Sequence, residues 1–568
     1  MTNQQIAQIF YNIAEILEIQ DDNPFRIRAY IRAGQTIENL TQQISDMQNL
    51  DELGELPGIG NAILEKIKEI LRTGKAEFYE KLKQSEYAPL VELLAIPGMG
   101  PKHARLVYDR LRIKTIAQLE KAARNAKLRN LPGLGPRAEE NILKGIAQAI
   151  KHKQRFPLAH IYPLAQEVLE QVKRIKQVKQ ASIAGSLRRM KETVADIDIV
   201  VSTDKPKPVS AAFIKIPQAI NILAEGDTKS SIQIQGNIQV DLRAVKDESF
   251  GAALHYLTGS KAHNIRIRSI AQDRNLKVNE YGVFKGKKKV AGKTEEEVYS
   301  IFGLPLIAPE LREDNGEIEA GLKNKLPKLI QTKDIRGDLH VHSDWSDGTR
   351  SIEQMAKYAQ KIGYEYIAIC DHSPYVGIAN GLNEKRLAQQ AKYIDKLNRN
   401  FKGFVILKGI EVDIRSDGKL DLPDAVLEKL DTVVASVHTK FGQSEKEMTK
   451  RIIKAIENLN VDIIAHPTGR LIGKRDPCLV DMDKVMDAAL ANHKALELNA
   501  YPQRLDLNDI HCRKAKEKGV KLVISTDAHK ELDLDFMFFG VATARRGWLQ
   551  QEDVLNTLHL KKFVRYFR

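Results

Sequence analysis

The sequence predicts a multidomain protein: an all-α N-terminal region, an α+β middle, and a C-terminal β/α barrel. Three features carry that expectation. Residues 1–150 hold three Pro-Gly-x-Gly turns, each preceded by an apolar helical stretch and followed by another helix. Residues 151–310 hold short β-branched runs that carry isolated acids, among them Asp196, Asp198 and Asp241. Residues 334–568 alternate helical stretches with apolar runs ending in His, Asp or Glu, and 6 of the 14 histidines sit in those motifs.

The totals set the limits. A chain of 568 residues makes three to five domains at about 150 residues each. Its hydrophobic content of 43% is enough for packed cores. No apolar run approaches the roughly 20 residues of a membrane span, so no membrane partner is expected. Met1–Leu17 reads as an amphipathic helix rather than a signal peptide. Cys370, Cys478 and Cys512 are scattered without a Cys-x-x-Cys pair, which fits a reducing cytoplasm. The net charge of +14 favours a polyanionic partner.

The N-terminal turns are Leu56–Gly60, Ile96–Gly100 and Leu131–Gly135. Their glycines (Gly58, Gly60, Gly98, Gly100, Gly133 and Gly135) free the backbone to turn tightly and present N–H groups at a helix start. Such a turn holds a phosphate without reading a base. One copy also fits a plain helix–turn–helix joint; three copies in a basic chain favour DNA, with the third copy open to a purely structural role. They resemble the helix-hairpin-helix motif. Lys66, beside apolar positions in Asn61–Ile67, is either a solvated helical lysine or a Schiff-base nucleophile.

In the middle region a helix is expected over Leu158–Lys173, then the strand Ala181–Ala184. Gly185, Ser186, Arg188 and Arg189 form a small turn with a basic pair, and Asp196 and Asp198 follow at i, i+2 in a β-branched run. That spacing puts both carboxylates on one face of a strand. A lone Asp-x-Asp is also the pattern of two solvated acids at a strand edge. Joined to a phosphate-type turn, it points to divalent metal and phosphoryl or nucleotidyl transfer. Asp241, a single acid in the alternating run Asn237–Val245, would complete a three-carboxylate, two-metal site and accept a hydroxyl proton. Further on, Tyr256–Ser260 allows close approach to a sugar, and Asn264 and Arg268 lie i, i+4 on the following helix. The run Lys285–Lys289 is a basic hairpin tip that either touches phosphate or stays solvated. The acid-rich stretch Pro309–Gly321 reads as the start of a linker.

Gly-Ser-Leu-Arg-Arg, Asp-Ile-Asp, Val-Asp-Leu-Arg and Tyr-Leu-Thr-Gly-Ser follow one another in an order that resembles the family X DNA polymerases, the group that includes polymerase beta. The resemblance covers residues 1 to about 310. It implies a polymerase beta-like nucleotidyltransferase palm and thumb. It implies Asp196, Asp198 and Asp241 as metal ligands for Mg²⁺ or Mn²⁺. Gly185, Ser186 and Arg189 would sit on the triphosphate, Tyr256 and Gly259 at the sugar, and Asn264 and Arg268 near base and template. Lys66 matches the family's deoxyribose-phosphate lyase lysine. The implied partners are gapped or primed DNA and deoxynucleoside triphosphates. Four positions depart from the family: Ala195 stands where Gly is usual, Lys261 where polymerase beta has an acid, and Ala62 and Phe78 where it has auxiliary lysines.

The C-terminal motifs are His340-Val341-His342 with Asp347, then Asp371-His372, Glu411-Val412-Asp413, His438, His466, and Asp527-Ala528-His529. Each follows an apolar run, and helices are expected over Ile352–Ile362, Glu384–Arg399, Lys446–Asn458, Met482–Ala491 and Ile510–Lys518. Any one of these histidines alone would be structural. Nine nitrogen and oxygen ligands at successive strand ends indicate a multinuclear metal cluster able to activate water and clamp a phosphate ester. The absence of sulfur suits Mn²⁺, Zn²⁺ or Fe²⁺. This half resembles a PHP (polymerase and histidinol phosphatase) domain. The resemblance implies His340, His342, Asp347, His372, Glu411, His438, His466, Asp527 and His529 as ligands of up to three ions. It also implies 3′→5′ exonuclease activity, with abasic-site endonuclease or 3′-phosphatase activity in some members. Asp371 is expected to orient a ligand.

The expected domains are therefore 1–85 (lyase-like), 86–150 (fingers-like), 151–245 (palm), 246–310 (thumb), 311–333 (linker) and 334–568 (PHP). The expected protein is a monomeric, cytoplasmic gap-filling repair polymerase of the base excision type. Its rivals are a small-molecule phosphatase fused to an inactive polymerase, and a repair scaffold without chemistry.

Overall fold

A computed structural model describes residues 3–567 except 39, 41–43, 45–46, 48, 57, 97, 153–154 and 376. The chain divides into two compact units, Met1–Arg155 and Phe156–Arg568.

The first unit is helical. Its longer helices are Asn3–Ile19, Pro24–Glu38, Asn61–Thr73, Pro101–Leu111 and Pro136–His152. Ile6, Phe10, Ile13 and Leu17 recur at helical spacing on the first, so they form one stripe. That stripe meets Tyr30, Ala33 and Ile37 of the second helix and Ile63, Ile67 and Ile70 of the third. A separate core gathers Leu90, Leu93, Val107, Leu119 and Ile142.

The second unit starts with the helix Leu158–Lys173 and a five-stranded sheet. The strand order is Gln180–Ile183, Asp196–Ser202, Ile238–Val245, Lys229–Ile234, Asn221–Ala224. Asp196–Ser202 and Ile238–Val245 run parallel, and the other neighbours are antiparallel. Strict alternation explains how the acids surface. Ile197, Ile199, Val201, Ile238, Val240, Leu242 and Ala244 go into the core against Ile161, Ala165 and Val168 of the helix. Asp196, Asp198 and Asp241 are thereby left on the opposite face.

Two helices follow, Phe250–Thr258 and Lys261–Asp273, with a small antiparallel sheet of Lys277–Asn279, Gly282–Lys285 and Lys288–Ala291. Gly286 turns the basic hairpin at φ +58°, and Lys289 is not free in solvent: its Nζ donates to Ser249 Oγ at 2.8 Å. The stretch 311–333, whose composition reads as a linker, carries the helix Glu317–Leu322 and packs Leu311, Ile318 and Leu329 into the same core as Ala252, Ile267 and Val298. Two of its acids are not solvating groups. Glu313 and Glu317 are partners of cations and imidazoles drawn from far along the chain.

The C-terminal half is a parallel seven-stranded sheet in chain order: Gly337–Val341, Tyr366–Ile369, Val405–Asp413, Thr432–Ser436, Ile463–Ile464, Ala495–Asn499 and Leu522–Ser525. A parallel bridge from Val341 to Ala528 brings the last strand to the first, so the barrel is nearly closed. Helices Ile352–Lys361, Glu384–Asn398, Glu445–Ile456, Met482–Ala491 and Asp509–Lys518 alternate with the strands. The interior is filled by Leu339, Ala368, Cys370, Leu407, Val434, Ala465 and Val523. Phe563 of the C-terminal helix Leu560–Phe567 stacks on Tyr366, the first residue of its strand, at 5.7 Å. That end of the barrel is therefore plugged, and the opposite strand ends are left for chemistry.

Candidate functional site

Asp198 and Asp241 are direct register partners across the parallel strands. Asp196 lies two residues before Asp198 on the same face. Burial, then the nearby charges of Asp196 and Asp241, push the Asp198 carboxyl up to about 7. A divalent cation is what reverses such a cost. Asp241 is partly satisfied by this chain: its Oδ1 accepts from Gln239 Nε2 at 2.8 Å, and Lys229 Nζ is 3.7 Å from Oδ2. The metal-sized groups among the described residues, with all ligand atoms within 4.8 Å, lie in the barrel and not at these three aspartates. Like charges on one strand face repel, which is a reason for that spread.

Gly185 is needed where it stands. Its φ is +65°, and a Cβ there would fall 2.1 Å from Asp198 Oδ2. The turn it opens runs through Ser186 to Arg189. Arg189 Nη1 donates to the Thr258 carbonyl and lies 3.3 Å from where a Gly259 Cβ would be. Asn264 Nδ2 donates to the Tyr256 carbonyl at 2.7 Å, and Arg268 Nε donates to the Asn264 carbonyl at 3.2 Å. The structure thus gathers Arg189, Tyr256, Gly259, Asn264 and Arg268 through contacts around residues 256–268. Arg188 turns away: it forms a two-pronged pair with Glu295 at 2.9 and 2.6 Å and takes a bracing role. Lys261 begins the helix whose cap is the Ser260 side chain.

In the barrel, all nine expected ligands meet. Three overlapping groups could each hold a metal: His342, Asp347, His372 and His529; His340, His342 and Asp527; His372, Glu411 and His438. His466 joins through Nε2, 3.1 Å from Glu411 Oε1. His340 Nε2 and His342 Nδ1 are buried and lack a hydrogen-bond partner, while His372 Nδ1 lies 2.8 Å from Glu411 Oε2 and His342 Nε2 3.1 Å from Asp527 Oδ1. Orphaned buried polar atoms are costly, and a cation at their centre satisfies them. The residues therefore fit a metal cluster.

The surrounding bonds aim the ligands. Glu497 Oε1 sits 2.7 Å from His340 Nδ1, Asp413 Oδ2 2.9 Å from His438 Nδ1, and the Asp527 carbonyl 2.8 Å from His529 Nδ1. In each case the partnered nitrogen is the donor, so Nε2 keeps its lone pair for a metal. His466 and Asp527 have left-handed φ values of +28° and +54°, unusual for non-glycine residues and placed at the ligand set. Asp371 acts differently from a direct ligand orienter. It accepts from Ser343 N at 2.8 Å, Ser346 Oγ at 2.5 Å and Gln390 Nε2 at 2.5 Å, and so braces the loop carrying Asp347. Although burial opposes it, the negative charge of Glu411 raises His372 to about 10; a cation there would release that proton.

Sequence reasoning missed Glu497, Asp413 as an imidazole partner, Arg504, whose Nε is 3.4 Å from Asp527 Oδ2, and Lys229. Glu497 had a signal, being a lone acid in the apolar strand Ala495–Asn499, the same pattern that marked Asp241.

In the helical unit, Gly58, Gly98 and Gly133 take φ of +93°, +89° and +78°. Gly60 and Gly100 cap the helices Asn61–Thr73 and Pro101–Leu111 without a side-chain hydrogen bond. A Cβ at Gly60, Gly100 or Gly135 would meet nothing within 4 Å, so the turn surface is open to an approaching phosphate. Pro57 and Pro97 of these turns lie outside the described residues. Lys66 is half-buried, with Nζ 5.4 Å from the Phe78 ring, which also carries the Arg26 guanidinium at 4.7 Å.

Comparison with known proteins agrees with this layout. Family profiles match for a helix-hairpin-helix domain over residues 1–76, a SAM-like helix-hairpin-helix tandem over 90–148, the DNA polymerase beta thumb over 253–313 and the PHP domain over 338–501. The DNA polymerase/3′-5′ exonuclease PolX of Bacillus subtilis (strain 168) is 43% identical over 566 residues, which is 99% of this chain and 98% of that one. The chain belongs to the family X DNA polymerases that carry a C-terminal PHP domain. Parts of it have separate kin. DNA polymerase lambda of Arabidopsis thaliana is 24% identical over 352 residues, covering 55% of this chain and 62% of its own. A probable phosphatase of Thermoanaerobacter sp. (strain X514) is 33% identical over 235 residues, 39% of this chain and 89% of its own. In this family X protein no helix among the described residues is long and apolar enough to cross a membrane.

Proposed function

We propose that this protein is a DNA-directed DNA polymerase that fills short gaps in repair and trims 3′ ends with its barrel, a 3′→5′ exonuclease. The observation that carries the reading is Asp198 opposite Asp241 on parallel strands, beside the Gly185–Arg189 turn, in a chain whose barrel gathers eight metal-type residues in overlapping groups, with His466 against Glu411 as a ninth.

Asp196, Asp198 and Asp241 would hold Mg²⁺ or Mn²⁺, and the nine barrel residues up to three Mn²⁺, Zn²⁺ or Fe²⁺ ions. Such cations, when bound, stabilise the charge that develops as a phosphate ester forms or breaks. The chain's own groups do the rest. Ser186 and Arg189 hold the triphosphate, and Tyr256 and Gly259 leave room for the sugar. Asn264, tied to the Tyr256 carbonyl, fixes that strip of backbone. Asp241 accepts the proton of the primer hydroxyl, with Lys229 and Gln239 holding its two oxygens. The hairpins containing Gly58, Gly60, Gly98, Gly100, Gly133 and Gly135 bind backbone phosphates of the gapped DNA. In the barrel Arg504 places a positive charge beside Asp527, where a phosphodiester would lie. Lys66 is the candidate lyase nucleophile. The protein acts as a monomer in the cytoplasm, with Cys370 and Cys512 buried as free thiols.

A 3′-phosphatase activity of the same barrel is the second reading, favoured by the barrel's likeness to probable phosphatases. A labelled primer on a one-nucleotide gap, with Mg²⁺ or Mn²⁺ and with or without nucleotides, tests both halves on one gel. Asp196→Ala with Asp198→Ala should abolish extension and spare degradation. Loss of both activities sinks the two-site reading.

A further inference from the structure

The turn that carries Arg189 is held by the barrel half. Arg546, the last residue of the helix Met537–Arg546, is buried. Its Nη1 donates to the Arg189 backbone carbonyl at 2.8 Å and to Glu313 Oε1 at 3.0 Å. Its Nε and Nη2 donate to Asp509 Oδ2 at 2.9 and 2.6 Å. The same Glu313 Oε1 accepts from Arg189 Nε at 3.0 Å and lies 3.5 Å from Lys191 Nζ. Three residues past Arg189, Glu192 is held at 2.7 Å by Arg470, also of the barrel half.

The charges decide what this arrangement does. Against one carboxylate alone, Arg189 would be neutralised and would attract a triphosphate weakly. Here Glu313 is shared among Arg189, Lys191 and Arg546, and Asp509 is engaged by Arg546. Three cations face two carboxylates, a surplus of one positive charge at the turn. Burial works against it, but Arg546, then Lys191 and Arg189, keep the Glu313 carboxyl down at about 2, so that charge stays in place at any working pH.

We propose that Arg546 of the barrel half is a positioning residue for the polymerase site: it anchors the Arg189 backbone and shares Glu313 with the Arg189 guanidinium, so that the turn keeps a net positive charge for the incoming triphosphate. The inference rests on the polymerase reading above. It makes nucleotide affinity a property of both halves of the second unit, although Arg546 touches no nucleotide.

Single-nucleotide gap filling by the full-length protein tests it, with kcat and KM for the nucleotide measured in wild type, Arg546→Gln, Glu313→Gln and the double variant. For Arg546→Gln the expected result is a KM raised about ten-fold, or ~1.4 kcal/mol, with kcat within about two-fold. Exonuclease activity of the same preparation, which needs the barrel folded, should be unchanged. Adding Glu313→Gln should return KM to within about three-fold of wild type, a rescue that a merely structural ion cluster does not give. An unchanged KM in Arg546→Gln, a fall in kcat alone, or failure of the rescue overturns the proposal. If Arg546→Gln loses exonuclease as well, Glu313→Gln alone decides: KM should fall, and an unchanged or raised KM overturns it. A wild type that extends no primer sinks the polymerase reading and this inference with it. A wild type that extends, with variants indistinguishable from it, sinks this inference alone.

Discussion

Gly185→Ala should separate folding from synthesis. A Cβ at this position lies 2.1 Å from Asp198 Oδ2, 3.1 Å from its Cγ and 3.3 Å from its Cβ. Contact with a carboxylate oxygen needs somewhat over 3 Å, so about 1 Å of movement is required. The backbone at φ +65° costs an alanine roughly 1–2 kcal/mol, small against the stability of a domain-sized core. What yields is the far end of the Asp198 side chain, which swings easily. That swing takes a proposed ligand about 1 Å from its place, a displacement worth about 100-fold in rate. Primer extension should therefore fall by about two orders of magnitude. Exonuclease activity and the urea midpoint should stay close to wild type, since the barrel and the helix-packed apolar face of the sheet are untouched. Extension within about three-fold of wild type would refute the reasoning and mean that Asp198 has no fixed position to lose.

Other perturbations follow from the same geometry. His342→Ala removes a residue common to two of the three barrel groups, so exonuclease activity and metal content by elemental analysis should drop together while gap filling persists. Glu497→Gln leaves the direct ligands intact but weakens the bond to His340 Nδ1; a 10–100-fold loss of metal affinity is the expected size, read by titration after chelation. Acid stability has a definite sign. The Glu313 carboxyl is held at about 2, against 4.5 when unperturbed, so its contribution is full above pH 4.5 and is lost as pH falls towards 2. At ~1.4 kcal/mol per tenfold this is about 3 kcal/mol, and Arg546→Gln should flatten that part of the urea–pH curve; parallel curves for wild type and variant would contradict it. Lys66→Ala should abolish borohydride trapping on a cleaved abasic site, and undiminished trapping would remove Lys66 from the chemistry.

How legible these sites were depends on how local their signals are. The aspartates showed because alternation is a two-residue pattern, and a strand that buries Ile197 and Ile199 must expose Asp196 and Asp198. The barrel ligands showed because parallel strands place their C-terminal residues on one rim, so each motif could be read by itself and then added to the others. The residues that orient them were harder. Asp413 stands beside a recognised ligand yet serves His438, 25 residues away, and Glu497 serves His340 from 157 residues away. Nothing in a local window pairs them.

The stretch 311–333 shows the same limit from the other side. Acid-rich, glycine-containing sequence is what a solvated linker looks like, because an unpaired carboxylate does not bury. The inference fails when the counter-charges arrive from elsewhere. Glu313 draws on Arg189 and Arg546, from 124 residues before it and 233 after it. Glu317 meets His263 at 2.6 Å and two backbone N–H groups of its own turn. For Glu313 the second partner, Arg546, comes from the barrel half, which packs on the polymerase half here: Phe539 and Leu505 join the core of the five-stranded sheet, and Tyr162 meets Phe538 at 4.9 Å. A polymerase without the barrel would leave Glu313 to Arg189 and Lys191 alone. The acids between the two halves therefore belong to a single electrostatic unit with the proposed nucleotide site.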